Sequence, residues 1–215
     1  MDGPNKNPHQ NQPVYTAGEG LDTARAIMVM LHGRGASAQD ILTLADPLDE
    51  PGFAFIAPQA AGNTWYPYSF LSPLEKNEPW LSSALEMIGN LLARLEDKDF
   101  PAEKVILMGF SQGACLALEF AVRNARRYRG LVGLSGGLIG PQGMQRSYTG
   151  SLESTPVFMG CSEADPHIPK DRFLESAAVL EELGGKVSAR LYPDLGHEVN
   201  LDELEQVRAV MEYIP

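Results

Sequence analysis

The chain has 215 residues, 44% of them hydrophobic and 21% charged, ordinary values for a protein that buries a full core as one domain. Its 28 acidic residues against 17 basic ones give a net charge of −11, which repels phosphate backbones and anionic membranes and argues against a nucleic-acid partner. Two cysteines, Cys115 and Cys161, are too few for a disulfide framework. With no CxxC or histidine-rich cluster to suggest zinc, no metal is expected and both thiols read as reduced and buried.

The chain opens on MDGPNKNPHQNQ, which is polar and rich in Pro and Asn. Residues 1–12 read as a disordered tail, and 13–215 as one α/β domain. The opening stretch lacks the apolar segment of a secretion signal, and no apolar run reaches the roughly 18 residues of a membrane span. A cytoplasmic protein without stable membrane insertion is expected.

Short apolar runs then follow: Ala26–Leu31, Phe53–Ala57, Val105–Met108, Leu131–Leu134, Val157–Met159 and Val187–Tyr192. Such near-continuous runs suit strands covered on both faces. Helical stripes lie between and after them. One runs through Leu85, Ile88, Leu92 and Leu95, another through Ala114, Cys115, Leu118, Ala121 and Val122. Phe173, Ala177 and Leu180 form a third, and Leu204, Val207, Met211 and Ile214 a fourth. The alternation predicts a mostly parallel sheet with helices on both faces.

The stretch 59–80 has no clean period. It carries Trp65, Tyr66, Tyr68, Phe70, Leu71 and Trp80. Either it is a surface excursion or, as we read it, an aromatic wall over the site, with Trp65, Tyr66, Phe70 and Leu71 meeting the substrate.

The sharpest signal is Gly109-Phe110-Ser111-Gln112-Gly113, set between the run Val105–Met108 and a helical stripe. A strand–turn–helix setting is what a G-x-S-x-G elbow requires. The turn strains the Ser111 backbone, and glycines relieve the crowding on either side. The hydroxyl is left exposed at a helix N-terminus, where developing negative charge is favoured.

A serine hydroxyl needs a base. Of four histidines, His9 lies in the polar tail, His32 shapes the loop after the first strong strand, and His167 is too close to Asp165. His197 follows the last strand, at the end of the sheet where such folds keep their chemistry. For the acid that orients it, Asp165 is favoured over Glu163, Asp194 and Asp202, because it gives the chain order Ser, Asp, His. Donors for an oxyanion are expected from the backbone N–H of Gln112 and of Arg34, the latter in Leu31-His32-Gly33-Arg34-Gly35. The Arg34 side chain reads either as solvated or as a partner for an anionic group on the substrate.

Together, Leu31-His32-Gly33-x-Gly35, Trp65-Tyr66, Gly109-Phe110-Ser111-Gln112-Gly113, Asp165 and Gly196-His197-Glu198-Val199 resemble the phospholipase/carboxylesterase family of α/β-hydrolases. That family includes bacterial carboxylesterases and acyl-protein thioesterases. The resemblance implies a small α/β-hydrolase without a large cap domain and without a cofactor. Its substrates would be small-molecule esters of short to medium acyl chains, and it would be able to pair as a homodimer. Arg34 and Met159-Gly160-Cys161 depart from the family pattern and bear on the choice of substrate.

Overall fold

The computed structural model describes residues 7–48 and 50–213. Among these the chain builds a seven-stranded sheet in the order β1-β3-β2-β4-β5-β6-β7. The strands are β1 (Val14–Gly18), β2 (Ala26–Leu31), β3 (Phe53–Pro58), β4 (Val105–Phe110), β5 (Gly130–Leu134), β6 (Pro156–Ser162) and β7 (Lys186–Tyr192). β1 pairs antiparallel with β3; every other neighbouring pair is parallel. The helices are α1 (Ala38–Leu42), α2 (Ala45–Leu48), α3 (Trp80–Glu96), α4 (Gln112–Arg123), α5 (Lys170–Glu182) and α6 (Leu201–Glu212). This is the α/β-hydrolase fold, and the six apolar runs are its six parallel strands.

Alternation along each strand builds two cores. Ile27, Val29 and Leu31 of β2 pack with α3, α4 and α5 on one face, through residues such as Ile88, Leu118 and Phe173. Ala26, Met28 and Met30 pack on the other with Ile41 of α1, Leu48 of α2 and Val207 and Met211 of α6. A parallel sheet covered on both faces leaves its inner strands no polar side, hence their unbroken apolar runs. Each fully buried Leu, Ile or Phe contributes about 1.5–3 kcal/mol.

Two expectations are corrected, and one strand goes beyond them. β7 was expected to be covered on both faces, yet it is the sheet edge, exposed or half-buried along its length. Its Lys186, Ser188 and Arg190 show that polarity, and charges on an edge discourage unwanted pairing. β1, VYTAG, was not foreseen; it is short, largely exposed and held by its hydrogen bonds to β3. The described part of the tail, residues 7–12, is not a loose end: its His9 is 1% exposed. Residues 1–6 and the predicted stripe residue Ile214 lie outside the described residues. Among the described residues no helix is long and apolar enough to cross a membrane.

Candidate active site

Ser111 follows β4, Asp165 follows β6, His197 follows β7 and Arg34 follows β2. The parallel strands therefore deliver all four loops to one edge of the sheet, at the strands' carboxyl ends.

Ser111 sits between β4 and α4 with φ 55° and ψ −118°, a backbone conformation that side chains rarely adopt. Its N–H donates to Leu134 O at 2.9 Å, and its carbonyl accepts from Cys115 N at 3.0 Å. The flanking glycines interlock. A Cβ on Gly109 would fall 2.3 Å from the Gly113 carbonyl, and one on Gly113 would meet the end of β2. The elbow is thus wedged against the strand that carries the Arg34 loop, and a Cβ on Gly33 would lie 3.5 Å from the Ser111 Cβ.

His197 Nε2 lies 2.9 Å from Ser111 Oγ, and His197 Nδ1 lies 2.7 Å from Asp165 Oδ2. An ionised carboxylate can only accept, so Nδ1 carries the proton and Nε2 keeps a lone pair for the serine hydroxyl. The Asp165 side chain is fully buried and His197 is partly exposed. Burial opposes ionisation of Asp165, but hydrogen bonds from His197 and from the amides of His167 and Ile168 outweigh it. They hold the carboxyl below the usual carboxylate range. The rival acids are occupied elsewhere: Glu163 pairs with Lys170 at 3.0 Å and Asp202 with Arg190 at 2.8 Å. Asp194 takes a positive φ of 57° in its own turn.

The His197 ring has two aromatic neighbours. Phe110 lies 5.1 Å away between centroids, and the exposed His167 lies edge-on at 4.7 Å. Neither was singled out from sequence as a neighbour of the base, because nothing in local spacing reports which rings meet across loops. Below the acid, Cys161 Sγ lies 3.7 Å from Asp165 Oδ2. Burial first, then the charge of Asp165, pushes the Cys161 thiol up to about 12; burial does the same for Cys115. Both thiols are free and buried, and are protonated at neutral pH.

The Gln112 amide is the first N–H of α4, one of the groups a helix leaves without an internal partner. Neither it nor the Arg34 amide has an acceptor among the described residues. The Gln112 side chain braces the opposite wall. Its Oε1 accepts from Trp65 N at 2.8 Å, and its Nε2 donates to Tyr66 O at 2.8 Å. His32, fully buried, accepts from Ala60 N at Nε2 and donates from Nδ1 to Gly33 O, shaping the Arg34 loop as anticipated.

Two readings of this region change. Trp65 and Tyr66 are 0% and 1% exposed, so they frame the site from beneath rather than facing a substrate. Phe70 is also buried, and its carbonyl accepts from Gly140 N at 2.7 Å; Leu71 is half-buried. Arg34 is exposed, but its guanidinium is tethered to the neighbouring loop rather than held ready for an anion. It donates to Pro67 O at 2.8 Å, Tyr68 O at 2.7 Å and Thr64 Oγ1 at 3.2 Å, so its planar fork ties the aromatic loop down.

Residues 16–214 match the family model described as phospholipase/carboxylesterase. The chain belongs to the phospholipase/carboxylesterase family. It is similar to a solved phospholipase/carboxylesterase from Dyadobacter fermentans, with 41% identity and a TM-score of 0.90, covering 94% of this chain and 97% of that one. It is 32% identical over 128 residues to acyl-protein thioesterase 1 of Gibberella zeae, a stretch of 57% of this chain and 53% of that protein, so about half of that relative's length is matched. Acyl-protein thioesterase 1 of Kluyveromyces lactis aligns over 208 residues at 26% identity, covering 86% and 90%. The family is one of hydrolases of the phospholipase and carboxylesterase kind.

Proposed function

We propose that this protein is a serine carboxylesterase that hydrolyses short- to medium-chain carboxylic esters through an acyl-enzyme. The observation that carries the reading is the continuous relay Ser111 Oγ to His197 to Asp165, with separations of 2.9 and 2.7 Å.

Ser111 Oγ attacks the acyl carbon while His197 Nε2 takes its proton. The carbonyl oxygen becomes an oxyanion, stabilised by the Arg34 and Gln112 amides. Asp165 holds the tautomer and stabilises the imidazolium. The tetrahedral intermediate collapses, His197 returns the proton to the departing alkoxide, and an acyl-Ser111 ester remains. Water attacks that ester, losing its proton to His197; collapse then frees the carboxylic acid and gives the proton back to Ser111. Each group is used twice and no redox partner is consumed. Leu71 is the candidate for acyl contact on the loop that Arg34 holds, with Trp65 and Tyr66 as its frame.

The similarity to acyl-protein thioesterases favours a second reading, a thioesterase or lysophospholipase working with the same relay. An acyl-chain series of p-nitrophenyl esters and matched thioesters, run beside Ser111→Ala, separates them. A sharp optimum at two to four carbons with esters preferred supports the first reading. Rates rising toward long chains or thioesters support the second. Full activity in Ser111→Ala contradicts both.

A further inference from the structure

The N-terminal arm of residues 7–12 reads from sequence as solvated, yet one of its side chains reaches the frame of the active site. His9 is buried with all three of its nitrogens engaged. Its backbone N–H donates to Ser83 Oγ of α3 at 3.1 Å. Ala61 N–H donates to its Nδ1 at 3.1 Å, and its Nε2 lies 2.9 Å from Trp65 O. An amide can only donate, so Nδ1 is the acceptor and Nε2 carries the proton given to the Trp65 carbonyl. Burial and the nearby His32 oppose protonation of His9, which keeps this neutral tautomer. Trp65 and Trp80 flank the ring at 5.5 and 5.4 Å.

The segment that His9 grips, residues 60–66, braces both expected oxyanion donors. Ala60 N donates to His32 Nε2, and Trp65 Nε1 donates to His32 O at 2.8 Å. Asn63 O accepts from Gly35 N at 2.7 Å. These three bonds fix the turn that carries Arg34. On the other side Trp65 N and Tyr66 O bracket the Gln112 side chain. His9 thus closes the outer side of a strut whose inner side carries both halves of the site. The arm itself is not backed by solid core. A cavity of about 860 Å³ opens between residues 7–16 and α3, lined by Gln10, Gln12, Met87 and Leu91 among others. The hydrogen bonds of His9 are therefore a principal anchor of the arm.

We propose that His9 is a positioning residue for the oxyanion hole and that the N-terminal arm is a latch on the site. This rests on the esterase reading above. Loosening residues 60–66 lets the Arg34 and Gln112 amides drift from where the oxyanion forms, which harms the transition state more than the bound substrate.

The test uses the full chain with His9→Phe, which keeps an aromatic ring without its hydrogen bonds, and His9→Gln, whose amide can accept from Ala61 N and donate to Trp65 O. Both are measured with a p-nitrophenyl ester, and rates are expressed per Ser111 titratable by a fluorophosphonate, so that any misfolded fraction drops out. His9→Phe is expected to lower kcat about tenfold with KM changed less than twofold, and to weaken an aldehyde or boronic acid transition-state analogue by a similar factor. His9→Gln is expected to recover most of both. Wild-type kcat per site in His9→Phe would overturn the proposal, as would equal loss in His9→Gln. If the wild-type chain itself hydrolyses no ester and is not labelled at Ser111, the esterase reading fails rather than the latch.

Discussion

A methyl group added at Gly113 would come within 2.0 Å of the Leu31 carbonyl oxygen and 2.4 Å of its carbonyl carbon. Gly113 is the last residue of the elbow motif and Leu31 ends β2, so one contact binds the nucleophile turn to the loop that carries Arg34. Backbone cannot yield as a flexible side chain does. Gly113→Ala is therefore expected to destabilise the fold by about 3 kcal/mol and to cut kcat/KM at least a hundredfold. Urea unfolding beside ester hydrolysis checks this; an unchanged midpoint with full activity would show that β2 and the elbow can part freely.

Asp165→Asn is expected to leave the fold standing and lower kcat by roughly three to four orders of magnitude. The new amide oxygen can still accept from the His167 and Ile168 amides that Oδ1 now serves. Its NH2 then faces His197 Nδ1, which must become an acceptor. That places the proton on Nε2, where it can no longer receive the serine proton. Loss of less than tenfold would mean that Asp165 only packs beside the base.

The buried carboxyl of Glu203 gives a pH signature separate from catalysis. Its Oε2 accepts from Asn200 N at 2.9 Å in the capping box of α6, while Oε1 lies against Gly160 with no hydrogen-bond partner. Burial pushes its pKa up from 4.5 to about 7. The fold prefers the neutral form, so this group's contribution to stability is present below the unfolded value, falls as pH rises through about 4.5 to 7, and is level above. Glu203→Gln keeps a neutral residue that the capping box accepts. It is expected to raise stability at pH 8 by up to about 3 kcal/mol and to differ little from wild type at pH 4. Thermal melts of both proteins across that range decide; parallel curves would contradict the assignment.

Much of this was legible in the chain because it is written locally. The inner strands are apolar runs since both faces are covered, and the elbow is a motif since its glycines meet backbone at fixed offsets. The choice of Asp165 over its rivals needed the chain order of the fold, and the Glu163–Lys170 and Asp202–Arg190 pairs show where two rivals went instead. What stayed hidden depends on contacts distant in sequence. His9 reads as tail because its neighbours are polar, while its partners lie 52 to 74 residues away. Arg34 lies at the surface as it reads, but nothing nearby in sequence announces the carbonyls of Pro67 and Tyr68 that hold its guanidinium. Trp65 and Tyr66 read as a substrate wall because aromatic composition cannot say which side of a loop faces inward.

The central claim is that Ser111, activated through His197, is the nucleophile. Intact-protein and peptide mass spectrometry after treatment with a fluorophosphonate tests it most directly. The account predicts one adduct per chain, on Ser111, formed in step with loss of ester hydrolysis, absent in Ser111→Ala and greatly slowed in His197→Ala. An adduct on another residue that abolishes activity, or hydrolysis that persists once Ser111 is fully labelled, would contradict it.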